Sequence, residues 1–323
     1  MHESNVNVLR NKFNSMLQEN VRLANYTTIG VGGEVELLFV VRDAEQLKQV
    51  VQSLWEMDIP VKVLGSGSNV LVSDKGLRGA IVVNHAHNIK IHTNQKPMAI
   101  WTESGALLSA VGRQAAARGL SGMEWAATIP GTVGGAVYGN AGAFGKETSC
   151  NLVEAEILTR SDRVEKWGCT EMQYSYRASA IKQNPDQYVI LTATFSVETG
   201  ERIAIENKIT EFRDRRLRNQ PAGQSFGSTF RNPPEKKAGQ LIEAVGLKGR
   251  QIGGAVISPQ HANFIINTGG ATATDVYKLM RMSYDEVKKH YGLILIPEIE
   301  FLGDWDEDIS IFTHTTQSAS EAA

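Results

Sequence analysis

Residues 128–145 have the residue types and spacing with the clearest chemical meaning in this sequence. They are Thr-Ile-Pro-Gly-Thr-Val-Gly-Gly-Ala-Val-Tyr-Gly-Asn-Ala-Gly-Ala-Phe-Gly, with six glycines among apolar residues. Each glycine inside a regular helix or strand costs roughly 0.5–1 kcal/mol, so this density predicts a loop. Backbone N–H groups of such a loop can form an anion-binding nest. The pattern favours a loop that binds a pyrophosphate or a ring over a purely structural turn.

Two familiar nucleotide-binding motifs are absent from the glycine-containing segments. Residues 65–69, Gly-Ser-Gly-Ser-Asn, lack the third glycine of the dinucleotide fingerprint, and no helix is predicted after them. A phosphate-binding P-loop at residues 140–147 is excluded because Asn140 replaces its first glycine and Glu147 replaces its Ser or Thr. The sequence therefore predicts neither a Rossmann site nor a P-loop site.

One short motif supports a different class of enzyme. Residues 223–227, Gly-Gln-Ser-Phe-Gly, match the nucleophile elbow of serine hydrolases, which needs a strand before it and a helix after it. Pro221 precedes the motif and Pro233 follows it, which disfavours both elements. A hydrolase built on Ser225 is one alternative, and a nucleotide-binding module without catalysis is another.

Composition narrows the class of protein. The 323 residues suit two or three domains, and a formal net charge of −2 gives no electrostatic case for nucleic acid. Only Cys150 and Cys169 could form a disulfide, and two cysteines in such a chain favour free thiols in a reducing compartment. The polar first 20 residues do not resemble a signal peptide, and no run approaches the roughly 20 apolar residues of a membrane helix. We expect a cytoplasmic protein without a metal site or membrane contact.

Hydrophobic periodicity and turn residues predict an α+β protein with segregated strands. A helix is expected to open at Asp43, with Gln46 completing a capping box. The other predicted helices are 8–17, 104–119, 203–218, 238–245 and 274–291. The predicted strands are 34–41, 61–64, 70–72, 188–197, 255–258, 263–267 and 293–302. Pro221 and Gly223 mark the start of a new unit.

Several motifs occur in an order that resembles one known family. They are 26–33, 65–69 and 128–145, followed by Ser-Tyr-Arg-Ala-Ser at 175–179, 227–233, 253–267 and Pro-Glu-Ile-Glu at 297–300. From about residue 20 to about residue 303 the chain is similar to the UDP-N-acetylenolpyruvoylglucosamine reductases, in their shorter type. The resemblance implies a vanillyl-alcohol-oxidase-like fold, in which a two-lobed FAD-binding region of the PCMH type precedes a smaller α+β substrate-binding domain.

The resemblance also implies a division of the chain. It gives an N-terminal extension at 1–20, an FAD-binding region at 21–200 with lobes at about 21–80 and 81–200, and a substrate-binding domain at 201–305. The small and polar residues at the end of the chain predict a disordered tail, placed at 306–323.

The implied reaction is the reduction of the enolpyruvyl ether of UDP-N-acetylglucosamine to UDP-N-acetylmuramate, in peptidoglycan precursor synthesis. NADPH as co-substrate would reduce FAD, and the reduced flavin would pass hydride to the double bond. By resemblance, Arg177 would stabilise the charge on the carboxylate, Ser228 would donate the proton, and Glu298 would complete the catalytic set. From the residues alone, Arg177 could equally be a surface cation and Ser228 a turn serine. Strand alternation places Glu298 and Glu300 on one face, and nothing local separates them.

Further contacts are implied by the same resemblance. Asn232 and His261 match positions that contact the uridine diphosphate, and Arg216 or Arg218 would meet the diphosphate, although cations at a helix end are favourable anyway. The predicted FAD contacts are Gly65, Ser66, Gly67, Ser68, Asn69, Ile129, Pro130, Gly131, Gly134, Gly135, Asn140 and Gly142. The expected ligands are FAD, NADPH and a nucleotide sugar, without nucleic acid or an obligate protein partner.

Overall fold

The computed structural model describes residues 3–94 and 96–313. The α-helices of these residues, α1 to α10 in chain order, are Glu3–Phe13, Ala44–Glu56, Leu108–Ala117, Val133–Gly139, Cys169–Met172, Ala180–Gln183, Arg202–Asn219, Ala238–Ala244, Ala273–Tyr291 and Ser310–Thr313. Short 3-10 helices are Leu23–Tyr26, Glu124–Thr128 and Thr148–Cys150. The strands, β1 to β17, are Leu17–Arg22, Glu34–Val41, Val61–Leu64, Val70–Val72, Leu77–Asn84, Ile89–His92, Met98–Glu103, Leu120–Ser121, Gly142–Ala143, Lys146–Glu147, Leu152–Thr159, Val164–Trp167, Tyr188–Thr199, Gln251–Ile252, Ala255–Ile257, Ile265–Asn267 and Glu300–Leu302.

The chain forms two compact units, each built from separate stretches of sequence. Unit 1 contains the described residues of Met1–Glu19, Leu37–Ser66 and Gly79–Arg215. Unit 2 contains the described residues of Asn20–Glu36, Gly67–Arg78 and Arg216–Ala323. Contiguous domains were predicted from the sequence, whereas two short N-terminal stretches belong to the same unit as the C-terminal third. The predicted domain bounds themselves stay a prediction.

One hydrophobic cluster of unit 1 joins α1 and α2 to strand residues. Asp43 caps α2 as predicted, because its carboxylate accepts from Gln46 N at 2.8 Å. The predicted capping box is not completed, because the Gln46 side chain accepts from Arg42 N at 2.9 Å and not from Asp43 N. The apolar stripe of α2 is buried and packs with Phe13 and Phe39, whose rings meet edge to face at 5.9 Å. Strand β3 pairs in parallel with β5, in a sheet of strand order β1-β2-β5-β3. The predicted α2 helix is confirmed.

A second cluster of unit 1 lies on an antiparallel sheet of strand order β12-β11-β13-β7-β6. Helices α3 and α4 contribute Val111 and Val137, and the sheet contributes Phe195, all three of them buried. Trp125 is buried in the same cluster and donates its indole N–H to Asn151 Oδ1 at 3.2 Å. This cluster positions the glycine-rich residues 128–145, since α4 lies within them.

Unit 2 has its own core around α8, α9 and the antiparallel sheet β14-β15-β16. Thr272 caps α9 with a reciprocal capping box to Asp275, and Gly292 ends it in the left-handed conformation. Strand β17 pairs in parallel with β4. The predicted helices over 238–245 and 274–291 are confirmed within one residue at each end.

The glycine-rich stretch was predicted to contain no regular element, and this was wrong. Helix α4, Val133–Gly139, occupies its centre. Thr132 caps the helix by accepting from Gly135 N, and Asn140 ends it in the left-handed conformation with φ 44°. A Cβ on Gly134 would lie 3.1 Å from the carbonyl oxygen of Ser104, so the absent side chain permits close packing. Tertiary contact and two caps offset the low helix propensity of glycine.

Other element bounds also differ from the sequence prediction, and each has a local cause. The helix expected from Ser104 begins at Leu108, because the buried Ser104 hydroxyl accepts from Asn84 Nδ2 at 2.8 Å instead of capping. The strand expected over 293–302 is confined to β17, since Pro297 has no N–H to donate. The N-terminal helix, expected over 8–17, is Glu3–Phe13.

Part of the tail predicted to be disordered is folded. Residues 306–313 are described, and they include α10 with Phe312 buried against Phe301 at a ring separation of 5.6 Å. Burial of that aromatic side chain holds the segment in unit 2. Residues 314–323 of the predicted tail lie outside the described residues.

Two glycine-to-alanine substitutions in helices of unit 1 should have opposite effects. At Gly112 in α3 a Cβ would lie 2.7 Å from Met123 O and Ala127 N, so Gly112→Ala should cost about 1–3 kcal/mol through overpacking. At Gly139 in α4 nothing lies within 4 Å, so Gly139→Ala should stabilise by about 0.5–1 kcal/mol. Urea unfolding of both variants without added cofactor measures the difference, and equal effects would contradict this packing.

Candidate functional site

The first part of the candidate site is the segment that leads into α4. Its Val133 and Gly134 N–H groups donate to Ala106 O and Ser104 O, at 2.8 and 2.7 Å. These two donors are therefore engaged by the protein, and the predicted anion nest cannot use them. A Cβ on Gly65 would lie 2.2 Å from Thr132 Oγ1, so the loop after β3 lies directly against this segment.

Two hydroxyl groups of unit 1 are buried without a hydrogen-bond partner in the protein. Ser66 Oγ and Thr128 Oγ1 are buried, and neither has a hydrogen-bond partner within the protein. An unsatisfied buried hydroxyl costs about 1–3 kcal/mol. One belongs to the predicted FAD loop at 65–69, and the other directly precedes the predicted contacts Ile129 and Pro130. Each of the two predicted FAD segments therefore has a buried hydroxyl that needs a hydrogen-bond partner. Bound FAD, which has many polar atoms, could supply that partner.

Arg177 sits in a tight turn that contacts the end of α4. The turn is closed by hydrogen bonds between Ser175 and Ala178, and Arg177 has φ 59°, which is uncommon for a residue with a side chain. Its guanidinium donates to Asn140 O at 3.3 Å and to Gly142 O at 2.9 Å. A predicted catalytic cation and two predicted cofactor residues are thus in direct contact within unit 1.

In unit 2 the predicted loop residues 67–69 contact other predicted residues. Gly67 has φ 62°, and a Cβ there would lie 2.0 Å from Tyr26 O, so only glycine fits against the 26–33 segment. The Asn69 amide donates to Glu298 O at 3.0 Å, and Asn69 O accepts from Glu300 N at 2.9 Å. Asn69, a predicted FAD partner, therefore positions the backbone on both sides of Ile299. Ser68 lies in the same loop and is half-buried.

Ser228 and Glu298 belong to neighbouring backbone segments of unit 2. Glu298 N donates to Thr229 O at 2.9 Å, and Phe230 forms a bridge with Pro297. The hydroxyl of Thr229, next to the predicted residue Ser228, is also buried without a hydrogen-bond partner. Glu298 and Glu300 are both half-buried, so exposure does not separate the two glutamates. Arg177 belongs to unit 1, whereas Ser228 and Glu298 belong to unit 2.

Asn263 holds the backbone next to the predicted residue Ser228, and the sequence prediction did not name it. Its buried amide accepts from Phe230 N at 3.0 Å and donates to Phe230 O at 2.8 Å, while its carbonyl accepts from Thr229 N. It thereby fixes the backbone that follows Ser228. The signal was an amide within the apolar run Ala-Asn-Phe-Ile-Ile, since a buried amide requires partners.

The three predicted substrate residues have different surroundings. Burial lowers the pKa of His261, and its Nδ1 accepts from Asn263 N at 3.2 Å, so the ring is neutral and Nε2 carries the proton. Burial also lowers the pKa of Arg216, whose guanidinium has no hydrogen bond or ion pair within the described residues. Asn232 Oδ1 accepts from Ala238 N at the start of α8. Of the three residues only Arg216 is charged, and its half-buried guanidinium needs an anionic ligand.

The hydrolase alternative lacks its required geometry. No strand precedes Ser225 and no helix follows Gly227 directly, and the Ser225 hydroxyl accepts from Gly227 N at 3.5 Å. The nucleophile elbow is defined by that strand–turn–helix arrangement, so the motif at 223–227 does not form one. A serine nucleophile at this position is not supported.

Three general properties complete the description. Cys150 and Cys169 are free thiols, as predicted. Within residues 3–94 and 96–313, no group of three His, Cys, Asp or Glu side chains could hold a metal ion. None of the helices in that part of the chain is both long enough and apolar enough to span a bilayer.

Comparison with known proteins identifies relatives for both parts of the chain. Residues 35–168 match a family model described as an FAD binding domain, and residues 219–302 match one described as the C-terminal domain of UDP-N-acetylenolpyruvoylglucosamine reductase.

Full-length relatives bear the same description. A UDP-N-acetylenolpyruvoylglucosamine reductase from Caldicellulosiruptor bescii is 41% identical, over 90% of this chain and 91% of that protein. One from Clostridium botulinum is 38% identical, over 90% and 94%. The crystal structure of a UDP-N-acetylenolpyruvylglucosamine reductase from Thermus caldophilus superposes with a TM-score of 0.74 and 33% identity, covering 87% of this chain and 97% of that one.

Proposed function

Because the chain belongs to the UDP-N-acetylenolpyruvoylglucosamine reductase family, we propose that it reduces UDP-N-acetylglucosamine enolpyruvate to UDP-N-acetylmuramate, with NADPH as the electron donor. Family membership confirms the resemblance found in the sequence, and the matched FAD binding domain confirms the predicted cofactor and fold class. The product is a peptidoglycan precursor, so we place the reaction in the cytoplasm, without nucleic acid, membrane or an obligate protein partner.

The contact between Arg177 and the glycine-rich segment carries this proposal. The guanidinium is in direct contact with the predicted FAD segment, because it donates to Asn140 O and to Gly142 O. Reduction of an enolpyruvyl group needs such a cation, because negative charge develops next to its carboxylate. A planar and permanently charged guanidinium suits a carboxylate.

Each predicted catalytic residue would have one role in the reduction of the enolpyruvyl group. Bound FAD would supply the hydride for the terminal carbon of the double bond. Arg177 would stabilise the enolate-like charge, an effect of about 3–4 kcal/mol for a preorganised donor. The Ser228 hydroxyl would then protonate the neighbouring carbon, which is a strong base at that point. Glu298 would add a carboxylate to the same set, with its backbone held by Thr229 and Asn69.

Substrate and cofactor contacts are proposed on the same basis. Arg216 would bind the diphosphate, which would give its desolvated guanidinium an anion. The neutral His261 would donate from Nε2, and Asn232 would contact the nucleotide through its amide nitrogen. FAD would bind along residues 65–69 and 129–142, with Ser66 among its hydroxyl partners.

The decisive experiment is the visible absorbance spectrum of the purified protein under anaerobic conditions. We expect a yellow protein that bleaches with NADPH and regains its colour when the enolpyruvyl nucleotide is added. Bleaching without return of colour would refute the proposed substrate. A protein without bound flavin that takes up no added FAD would refute the flavoenzyme assignment.

Replacing Thr128 by valine tests the proposed cofactor contact. The isosteric methyl removes a buried hydroxyl that has no partner in the protein, so the free energy of unfolding without FAD should stay equal or rise. Because the hydroxyl is proposed to bond FAD, the Kd for FAD should rise about 5- to 10-fold, as expected for one hydrogen bond. Unfolding curves and flavin titration of the apoprotein measure both. An unchanged Kd would remove Thr128 from the cofactor site.

A further inference from the structure

Asn140 is completely buried at the end of α4, and its side chain is engaged on both sides. Its Nδ2 donates to Ser175 O at 3.1 Å, and its Oδ1 accepts from Ser149 N at 3.1 Å. The amide was predicted to contact FAD, but these bonds direct it into the protein. It connects the glycine-rich segment with the turn that bears Arg177.

The same residue also holds the guanidinium. Asn140 O accepts from one terminal nitrogen of Arg177 at 3.3 Å, next to the bond from the other terminal nitrogen to Gly142 O. Asn140 therefore contacts the turn twice, at its first residue through the side chain and at its charged tip through the backbone. A shift of Asn140 would displace the turn and the guanidinium together.

The turn needs such support because its backbone is strained. Arg177 adopts φ 59°, a conformation that a residue with a Cβ keeps only when its surroundings enforce it. Tyr174 and Ser179 on either side of the turn are also tied to α4, through Tyr174 Oη to Val137 O at 2.9 Å and Ser179 Oγ to Tyr138 O at 2.7 Å. Hydrogen bonds to the end of α4 thus hold the strained turn in its conformation.

The identity of the residue at position 140 follows from these demands. Its own φ is 44°, a conformation that glycine and asparagine tolerate best. Glycine could adopt it but has no side chain to bond Ser175 and Ser149. Aspartate could accept from Ser149 N but has no amide hydrogen for Ser175 O. Asparagine alone meets the backbone, donor and acceptor requirements together.

We propose that Asn140 is a positioning residue for reduction of the enolpyruvyl group, because it holds the guanidinium of Arg177 in place through the 175–178 turn. This inference rests on the proposed role of Arg177. It assigns no contact with substrate to Asn140 and predicts that its effect on catalysis passes through Arg177.

A double-mutant cycle tests the proposal on the full-length holoenzyme. Asn140→Gly, Arg177→Ala and the double variant are reduced with NADPH, mixed anaerobically with the enolpyruvyl nucleotide, and followed by return of the flavin absorbance. We expect Asn140→Gly to slow this step about 10²-fold, the effect of misplacing a catalytic group by about 1 Å. In the Arg177→Ala background, Asn140→Gly should slow the return of flavin absorbance no more than about twofold. That difference is the usual error of additivity between two substitutions.

The controls separate positioning from general damage. Asn20 is an exposed asparagine that is also left-handed, with φ 52°, so Asn20→Gly makes the same backbone change and should leave the rate unchanged. If Asn140→Gly binds no FAD, Asn140→Asp takes its place in the cycle. If both lose FAD while Arg177→Ala retains it, the proposal is overturned, since Asn140 would then serve the cofactor.

Two kinetic outcomes would also overturn the proposal, and they differ. If Asn140→Gly slowed the reaction equally in the wild-type and in the Arg177→Ala background, Asn140 would act independently of Arg177. The proposed function would be unaffected by that result. A normal rate in Arg177→Ala would instead refute the catalytic role proposed for Arg177, and with it the need to position it.

Discussion

Replacing Ser228 by alanine should leave flavin reduction by NADPH intact and slow the reduction of the enolpyruvyl nucleotide by about 10²–10⁴-fold, the usual contribution of a positioned general acid. The hydroxyl is proposed to deliver the proton to the carbon next to the carboxylate. Hydride delivery alone would leave a carbanion there, and water would have to protonate it. Separate anaerobic measurements of the two half-reactions distinguish this loss from a defect in cofactor binding.

Ser225→Ala is the matched control for this experiment. It removes a hydroxyl three residues earlier whose only hydrogen bond among those described is with the nearby Gly227 N, at 3.5 Å. The control should retain the wild-type rate in both half-reactions. If Ser225→Ala abolished turnover while Ser228→Ala did not, the assignment of the proton donor would be wrong. If both variants kept the wild-type rate, another group would supply the proton.

The second large effect is expected from Arg177. Arg177→Ala should slow the return of flavin absorbance by about 10²–10³-fold, the range seen when one preorganised donor to a developing negative charge is removed. Arg177→Lys should recover only part of the rate. A single ammonium cannot keep the bonds to Asn140 O and Gly142 O in the same geometry while facing a carboxylate.

Arg215→Ala controls for loss of positive charge in unit 1. Its guanidinium is exposed and lies 5.8 Å from the ring centre of Phe144, near the end of the same glycine-rich segment. A loss of comparable size in Arg215→Ala would indicate a general electrostatic effect and not a specific role of Arg177. FAD content and thermal unfolding of each variant confirm that the comparison is made between folded holoenzymes.

Elements with complete local signals were predicted well. Helix α9 has its capping box, an apolar stripe and a terminal glycine within its own sequence, and α2 has the Asp43 cap and its stripe. Such signals act between residues three or four positions apart, so they are visible without the fold. The order of the motifs likewise identified the family, which the comparisons then confirmed.

Elements that depend on distant partners were predicted poorly. The glycines of α4 argue locally against a helix, and the helix exists because Ser104 and the Asn140 cap lie where they do. A helix was expected from Ser104, but Asn84, twenty residues earlier, donates to the Ser104 hydroxyl, and α3 begins at Leu108. In both cases a long-range contact outweighs local propensities of roughly 0.5–1 kcal/mol per residue.

The sequence by itself determined the class of protein, its family, the main helices and the residue types that the proposed chemistry needs. Only the tertiary structure decided how those residues are held: the left-handed turn of Arg177, the engagement of the Asn140 amide inside the protein, the orphaned hydroxyls and the role of Asn263 beside Ser228. The physical reason is that residue identity shows which groups are able to bond, whereas burial decides which of them already have a partner and which still require one.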